Sequence, residues 1–392
     1  MSVMSAMSIT STTSPTARRW RWRVVAISTA LLMALAPSLL GASSASAARS
    51  TSSWLAGQVS DAGSVIDPYG TDPSVDWTVN VALALIAAGD QGPALERAVA
   101  YIEANAGAYV TSGTSDQAGH LSWLILLAMF TERDAHSFGI DGLDLVAMLQ
   151  ARYGIAEPGL FGTVDDYTPV TNQALAIIAL RAAGATVPAG AIIWLRLQQC
   201  EAPAEQAGGW QGYRPELTPG VLADCEPVSS AAYNRADAAS TSFAMQAIAD
   251  LIGVDDPAIA AGVAWLHRLQ SPSAPAAGGF GQYIGDTSEP NSTALVIQAL
   301  RATETFDQDW SLGGGDPALS MYSWVIVSGD DDGALASPYS SGSADLYATY
   351  QGIWGVLQRP LPTLLAMPVV GGPIDSSMVG DSSSELAPAF TG

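Results

Sequence analysis

The chain has 392 residues, 37 of them acidic and 15 basic, and every basic residue is arginine. A formal charge of −22 excludes charge-driven binding of nucleic acid or of an anionic membrane, and the missing lysine excludes Schiff-base chemistry and the phosphate-loop lysine. With 48% hydrophobic residues the chain can bury a large core.

Near the start, Arg18, Arg19, Arg21 and Arg23 precede an apolar run from Val24 to Leu40, and Ala45-Ser46-Ala47 offers a small-residue cleavage site. These are the three parts of a secretory signal, so residues 1–47 are expected to be removed and the product secreted, with no stable membrane insertion. A signal anchor is the alternative, and Arg18-Arg19 leaves twin-arginine export open beside the general route. Cleavage removes four arginines and no acid, taking the charge to −26.

Residues 48–74, rich in Ser, Gly and Pro, read as a flexible leader. Beyond them apolar residues recur every three or four positions. The spacing predicts helix pairs over 76–88 and 93–105, 116–130 and 142–153, 170–183 and 188–199, 237–252 and 257–270, and 290–303 and 317–327. A last helix over 345–357 has no obvious partner. Pro93, Pro188, Pro257 and Pro317 stand at helix starts, where a missing amide donor costs nothing.

The chain also repeats itself. Thr171-Asn172-Gln173-Ala174-Leu175-Ala176-Ile177-Ile178-Ala179-Leu180 returns as Asn291-Ser292-Thr293-Ala294-Leu295-Val296-Ile297-Gln298-Ala299-Leu300, each copy preceded by a Gly-aromatic-Gly turn. First members of the pairs are apolar nearly all round and second members carry charge, as at Glu96-Arg97 and His267-Arg268. Two concentric rings follow: an all-α protein, an α/α toroid over 75–360 with about six inner and five to six outer helices. An open superhelical solenoid is the alternative. Cys200 and Cys225 are expected to form a disulfide closing a loop of about 25 residues, with a zinc site as the weaker reading. Residues 361–392, rich in Pro, Gly and Ser, read as a disordered tail.

Trp194-Leu195, Gln199 and Gly208-Gly209-Trp210, followed one repeat later by Trp265-Leu266, Gln270 and Gly278-Gly279-Phe280, resemble the prenyltransferase and squalene-oxidase repeat. Gln150 with Gly159-Leu160-Phe161-Gly162 is a weaker third copy. The resemblance implies the toroid of the terpenoid cyclases and protein prenyltransferases, and is greatest to secreted bacterial members without an established activity. The signatures of that fold's chemistries are absent, however. There is no Asp-x-Asp-Asp, no Asp-Asp-x-x-Asp, no thioester quintet, and neither cysteine lies on an inner helix to hold zinc.

What remains is a polar set at the inner-helix starts: Asp76 with Asn80, Asp116 with His120, Asp237 with Thr241, and Asp345 with Thr349, together with Asp166 ahead of Gln173 and Thr293 on the later copy. Helix capping by the aspartates and carbonyl bonding by the threonines is the alternative use of these groups. Trp123, with Trp77, Tyr167, Phe243, Tyr347, Tyr350 and Trp354, is expected to line the same cavity. The functional expectation is a monomeric, non-catalytic protein that needs no cofactor or metal and holds a small hydrophobic or mixed ligand in the toroid. A cyclase- or prenyltransferase-like enzyme using Asp166 or Asp237, and a cell-surface scaffold with contacts at 330–339, are the alternatives.

Overall fold

Helices that are apolar on every side are stable only where a second layer covers them. The computed structural model describes residues 47–361, apart from 91, 112–116, 163–168, 213–221, 231–233, 273–276, 308–309 and 311–314. Six such helices form the inner layer: α2 (Val75–Ala88), α4 (Gln117–Phe130), α6 (Pro169–Ala182), α8 (Ala238–Ile252), α10 (Pro290–Ala302) and α12 (Leu346–Leu357). Each packs on the next, and α12 returns to α2, so the ring is closed. The expected toroid is therefore present, and the open solenoid is not.

The outer layer alternates with it. α3 (Pro93–Thr111) packs on α2 and α4, α5 (Leu145–Gln150) on α4, α7 (Ala189–Leu197) on α6 and α8, α9 (Pro257–Leu269) on α8, and α11 (Pro317–Ser323) on α10 and α12. The expected flexible leader instead contains α1, over residues 47–58. Its Ala48 joins an apolar cluster with Ala294, Met321, Leu335 and Val356, its Leu55 is fully buried, and Ser52 Oγ donates to Asp90 Oδ2 at 2.9 Å. This helix supplies the outer partner that α12 lacked in the sequence. A short antiparallel pair follows, β1 (Val65–Ile66) with β2 (Pro73–Ser74), pairing Val65 with Ser74. At the other end Leu361 is buried, and residues 362–392 lie outside the described part. The expected signal segment, apart from Ala47, lies outside it too. No helix of the described residues is long and apolar enough to cross a membrane.

The Gly-aromatic turns tie the layers together. Gly208 has φ +94°, and a Cβ there would lie 2.3 Å from the Ala261 carbonyl oxygen, so only glycine fits. That close approach lets Trp210, fully buried, fill the gap between layers and donate its indole N–H to the Leu195 carbonyl at 2.9 Å. Gln199 Nε2 donates to the carbonyls of Gly208 and Ala258 at 2.8 and 2.9 Å, and Gln270 repeats the bond to Gly278 at 2.9 Å. The disulfide Cys200–Cys225 is formed, with 5.5 Å between the Cα atoms, and staples the connection from α7 to α8 beside β3 (Cys200–Ala202) and β4 (Ala223–Asp224).

Candidate active site

The inner ring encloses a cavity of about 490 Å³. A second one of about 470 Å³ lies against the β1–β2 connection and the end of α3, and Asp76 and His120 line both. The two therefore meet at one carboxylate and one imidazole.

Asp76 is available there because another residue caps α2. Ser74 Oγ accepts the Trp77 amide at 3.3 Å, which leaves the carboxylate of Asp76, in the first turn and exposed, for other work. Tyr109 on α3 donates its hydroxyl to Asp76 Oδ1 at 2.7 Å. The Tyr109 ring stacks on His120 at 4.0 Å, and His120 Nδ1 bonds the Tyr109 carbonyl oxygen at 3.1 Å. A carbonyl only accepts, so Nδ1 carries a proton and donates it in this bond. Three helices thus hold the carboxylate and the imidazole in fixed orientations.

Amides and aromatics form the rest of the wall. Asn80 donates to the Asp76 carbonyl at 2.9 Å. Asn172 on α6 lies against Gly119 of α4, where a Cβ would stand 2.5 Å from Asn172 Oδ1, so the glycine makes room for the amide. Gln351 Oε1 accepts from Asn291 Nδ2 at 2.9 Å. Gln298 on α10 is 2% exposed, lines the cavity, and its Oε1 has no hydrogen-bond partner among the described residues. A buried acceptor left in this state favours a ligand that brings a donor. Trp123 meets Phe243 edge to face at 6.3 Å, and Tyr350 and Trp354 add apolar wall from α12. Burial, then the neighbouring Tyr347, holds the Tyr350 hydroxyl well above the usual tyrosine range, so it remains protonated and neutral.

The residues expected at the mouth divide into two groups. Asp76, Asn80, His120 and Trp123 line the cavity, as do the aromatics Phe243, Tyr347, Tyr350 and Trp354. Gln173, Thr241, Thr293 and Thr349 do not: they are fully buried and face the outer layer. Gln173 Oε1 accepts the Phe161 amide at 2.7 Å, and its Nε2 donates to the Gly159 and Ala191 carbonyls at 2.8 and 2.9 Å. Thr241, Thr293 and Thr349 accept the amides of Trp210, Phe280 and Leu335, each at 2.9 Å, and Thr78 accepts that of Val65 in the same way. These side chains hold the turns of the repeat.

Asp237 and Asp345 are also corrected, since both cap helices. Asp345 Oδ1 accepts the Ala348 amide at 3.1 Å, and Asp237 accepts the Ser240 amide and hydroxyl at 2.8 and 2.7 Å. Burial pushes the Asp237 carboxyl up to about 6, against the lowering effect of those bonds. Asp116, Asp166 and Tyr167 lie outside the described residues. The amides Asn172, Gln298 and Gln351 were missed. Their only signal was a polar residue in a helix otherwise apolar all round.

No family model matches the chain, and no curated protein matches its sequence. Among solved structures it is similar to the α-1,6-mannanase GH76A of Salegentibacter sp. HEL1_6, an inactive variant with two consecutive aspartates replaced by asparagine, in complex with α-1,6-mannotriose. Identity is 13% and the TM-score 0.50, over 81% of this chain and 98% of that one. The likeness bears out the α/α toroid. It corrects the resemblance to prenyltransferase and squalene-oxidase repeats, with which only the broad toroid shape is shared. It also stands against the expected non-catalytic carrier, because the matching toroid is that of a mannanase in complex with a mannotriose.

Proposed function

We propose that this chain is a secreted glycoside hydrolase whose cleft takes a neutral glycan and cleaves it beside Asp76. The observation that supports this best is the make-up of the cavity: aromatic walls, the amides of Asn80, Asn172 and Gln298, and a carboxylate where the two cavities meet. Aromatic faces suit the apolar side of a pyranose, and amides suit its hydroxyls. Gln298 Oε1 would accept one of those hydroxyls. The described residues lining either cavity include no arginine, whereas Asp67, Asp72 and Asp76 are among them, so polyanionic glycans are repelled.

Hydrolysis breaks the bond between the anomeric carbon and the bridging oxygen, gives a proton to the leaving oxygen and adds water to the carbon. A carboxylic acid and a carboxylate usually share these tasks. Asp76 would supply one of the two. For the other, the mannanase carries a hint, since its inactive variant lacks two adjacent aspartates. This chain has three runs of adjacent aspartates. Asp256 of the pair Asp255-Asp256 caps the outer helix α9 and pairs with Arg196 at 3.4 Å. Asp331 of the run 330–332 meets Trp54 on α1. Asp165-Asp166 remains, ahead of the inner helix α6 by three residues and outside the described part. We assign the second carboxylate to that pair.

Export fits this use, because the polymers such enzymes degrade lie outside the cell and a disulfide persists there. The mature protein should be incubated with neutral oligosaccharides, α-1,6-mannotetraose first, and with uronic-acid polymers. Release of new reducing ends from a neutral glycan alone is expected, and Asp165→Asn with Asp166→Asn should abolish it. Inertness toward every neutral glycan, or full activity of that double variant, would sink the assignment.

A further inference from the structure

Beside the cleft the exposed Tyr69 and Tyr347 join the half-buried Trp77 and Tyr350 in a connected strip. Tyr350 in the cavity wall meets Trp77 edge to face at 5.6 Å and Tyr347 at 5.5 Å. Trp77 meets Tyr347 at 6.3 Å and Tyr69 at 5.9 Å. Tyr69 ends the strip at the tip of the β1–β2 hairpin, with 82% of its surface exposed. Such an exposed ring costs solvation and contributes nothing to the core.

The tip that carries it is nonetheless well fixed. Asp67 N donates to the Asp72 carbonyl and Gly70 N to the Asp67 carbonyl, both at 3.0 Å. Asp67 Oδ1 accepts the Tyr69 amide at 2.9 Å. Residues on either side of Tyr69, among them Asp67, Gly70 and Asp72, line the second cavity, which meets the first at Asp76. A rigid exposed ring, a cavity beside it and hydrogen-bond acceptors in that cavity are together what a sugar subsite needs.

We propose that Tyr69, standing on Trp77, is a binding subsite for a pyranose ring of the same glycan, beyond the sugars held in the central cavity. This rests on the glycan-cleaving reading and deepens it, because it makes the preferred substrate a chain long enough to cross Asp76 and reach the hairpin. Short oligosaccharides would leave the tyrosine untouched.

The test is the chain-length dependence of KM, measured with α-1,6-mannotriose and α-1,6-mannohexaose on the wild type, Tyr69→Ala and Tyr69→Phe. Tyr69→Ala should raise KM for the hexaose about tenfold, with kcat and the triose KM unchanged, the size expected for losing one stacking contact. Tyr69→Phe, which keeps the ring, should behave as the wild type. Equal hexaose KM values in the wild type and Tyr69→Ala would overturn the subsite while leaving the glycan reading intact. A wild type inert toward these and every other neutral glycan would overturn both.

Discussion

Polar side chains on the inner helices divide by the direction they point, and the two groups predict different losses. Gln173 points outward and satisfies three buried backbone groups. Gln173→Leu should destabilise the fold by roughly 3 kcal/mol or more, read from urea unfolding, because each orphaned group costs about 1–3 kcal/mol. Asp237 gives a signed pH effect. Its carboxyl titrates near 3.8 when unfolded and about 6 when folded, so the folded state favours the protonated form. The stability this contributes is complete below pH 3.8 and is lost as pH rises through 6, on the order of 3 kcal/mol across that window. Asp237→Asn, which can still cap, should lack this slope. Unfolding midpoints of wild type and variant that run parallel from pH 4 to pH 7 would contradict it. The sequence pointed to Asp76 and His120 because their spacing put them at helix starts. It misplaced Thr241, Thr293 and Thr349 because a helix apolar all round does not reveal which face meets the lumen.

Among the elements, the long helices were legible from their period, down to Pro257 and Pro290 at the starts of α9 and α10. α5 was less so. It covers Leu145–Gln150 rather than 142–153, because Phe138 and Leu143 pair as a bridge and Asp144 begins the helix only after it. α1 was not legible, since residues 47–58 are rich in Ser and Ala and offer only Trp54 and Leu55 as large apolar side chains to mark a buried face. The repeat turns give two tests at this scale. Gly208→Ala must force a side chain into φ +94° and against the Ala261 carbonyl, and should cost roughly 2–4 kcal/mol by thermal or urea unfolding. Replacing Cys200 and Cys225 by serine should lower stability by about 3 kcal/mol, since the bridge spans 25 residues.

Closure of the ring is what gives the whole molecule a cleft. α12 meets α2 on the inside, while α1 and the 330–335 turn cover that seam from outside through Leu55, Ala48 and Leu335. Leu55→Ala should therefore cost about 3 kcal/mol although it lies in a segment that reads as a linker. With the ring closed, Tyr109 and His120 from neighbouring helices hold Asp76 where the two cavities meet. The most direct measurement is the rate of reducing-end release from α-1,6-mannotetraose by the mature protein and by Asp76→Asn. Measurable turnover by the wild type is expected, with kcat reduced by about 10²–10⁴ in Asp76→Asn and KM little changed. Equal kcat values for the two proteins, or no cleavage of this or any other neutral glycan by the wild type, would contradict it.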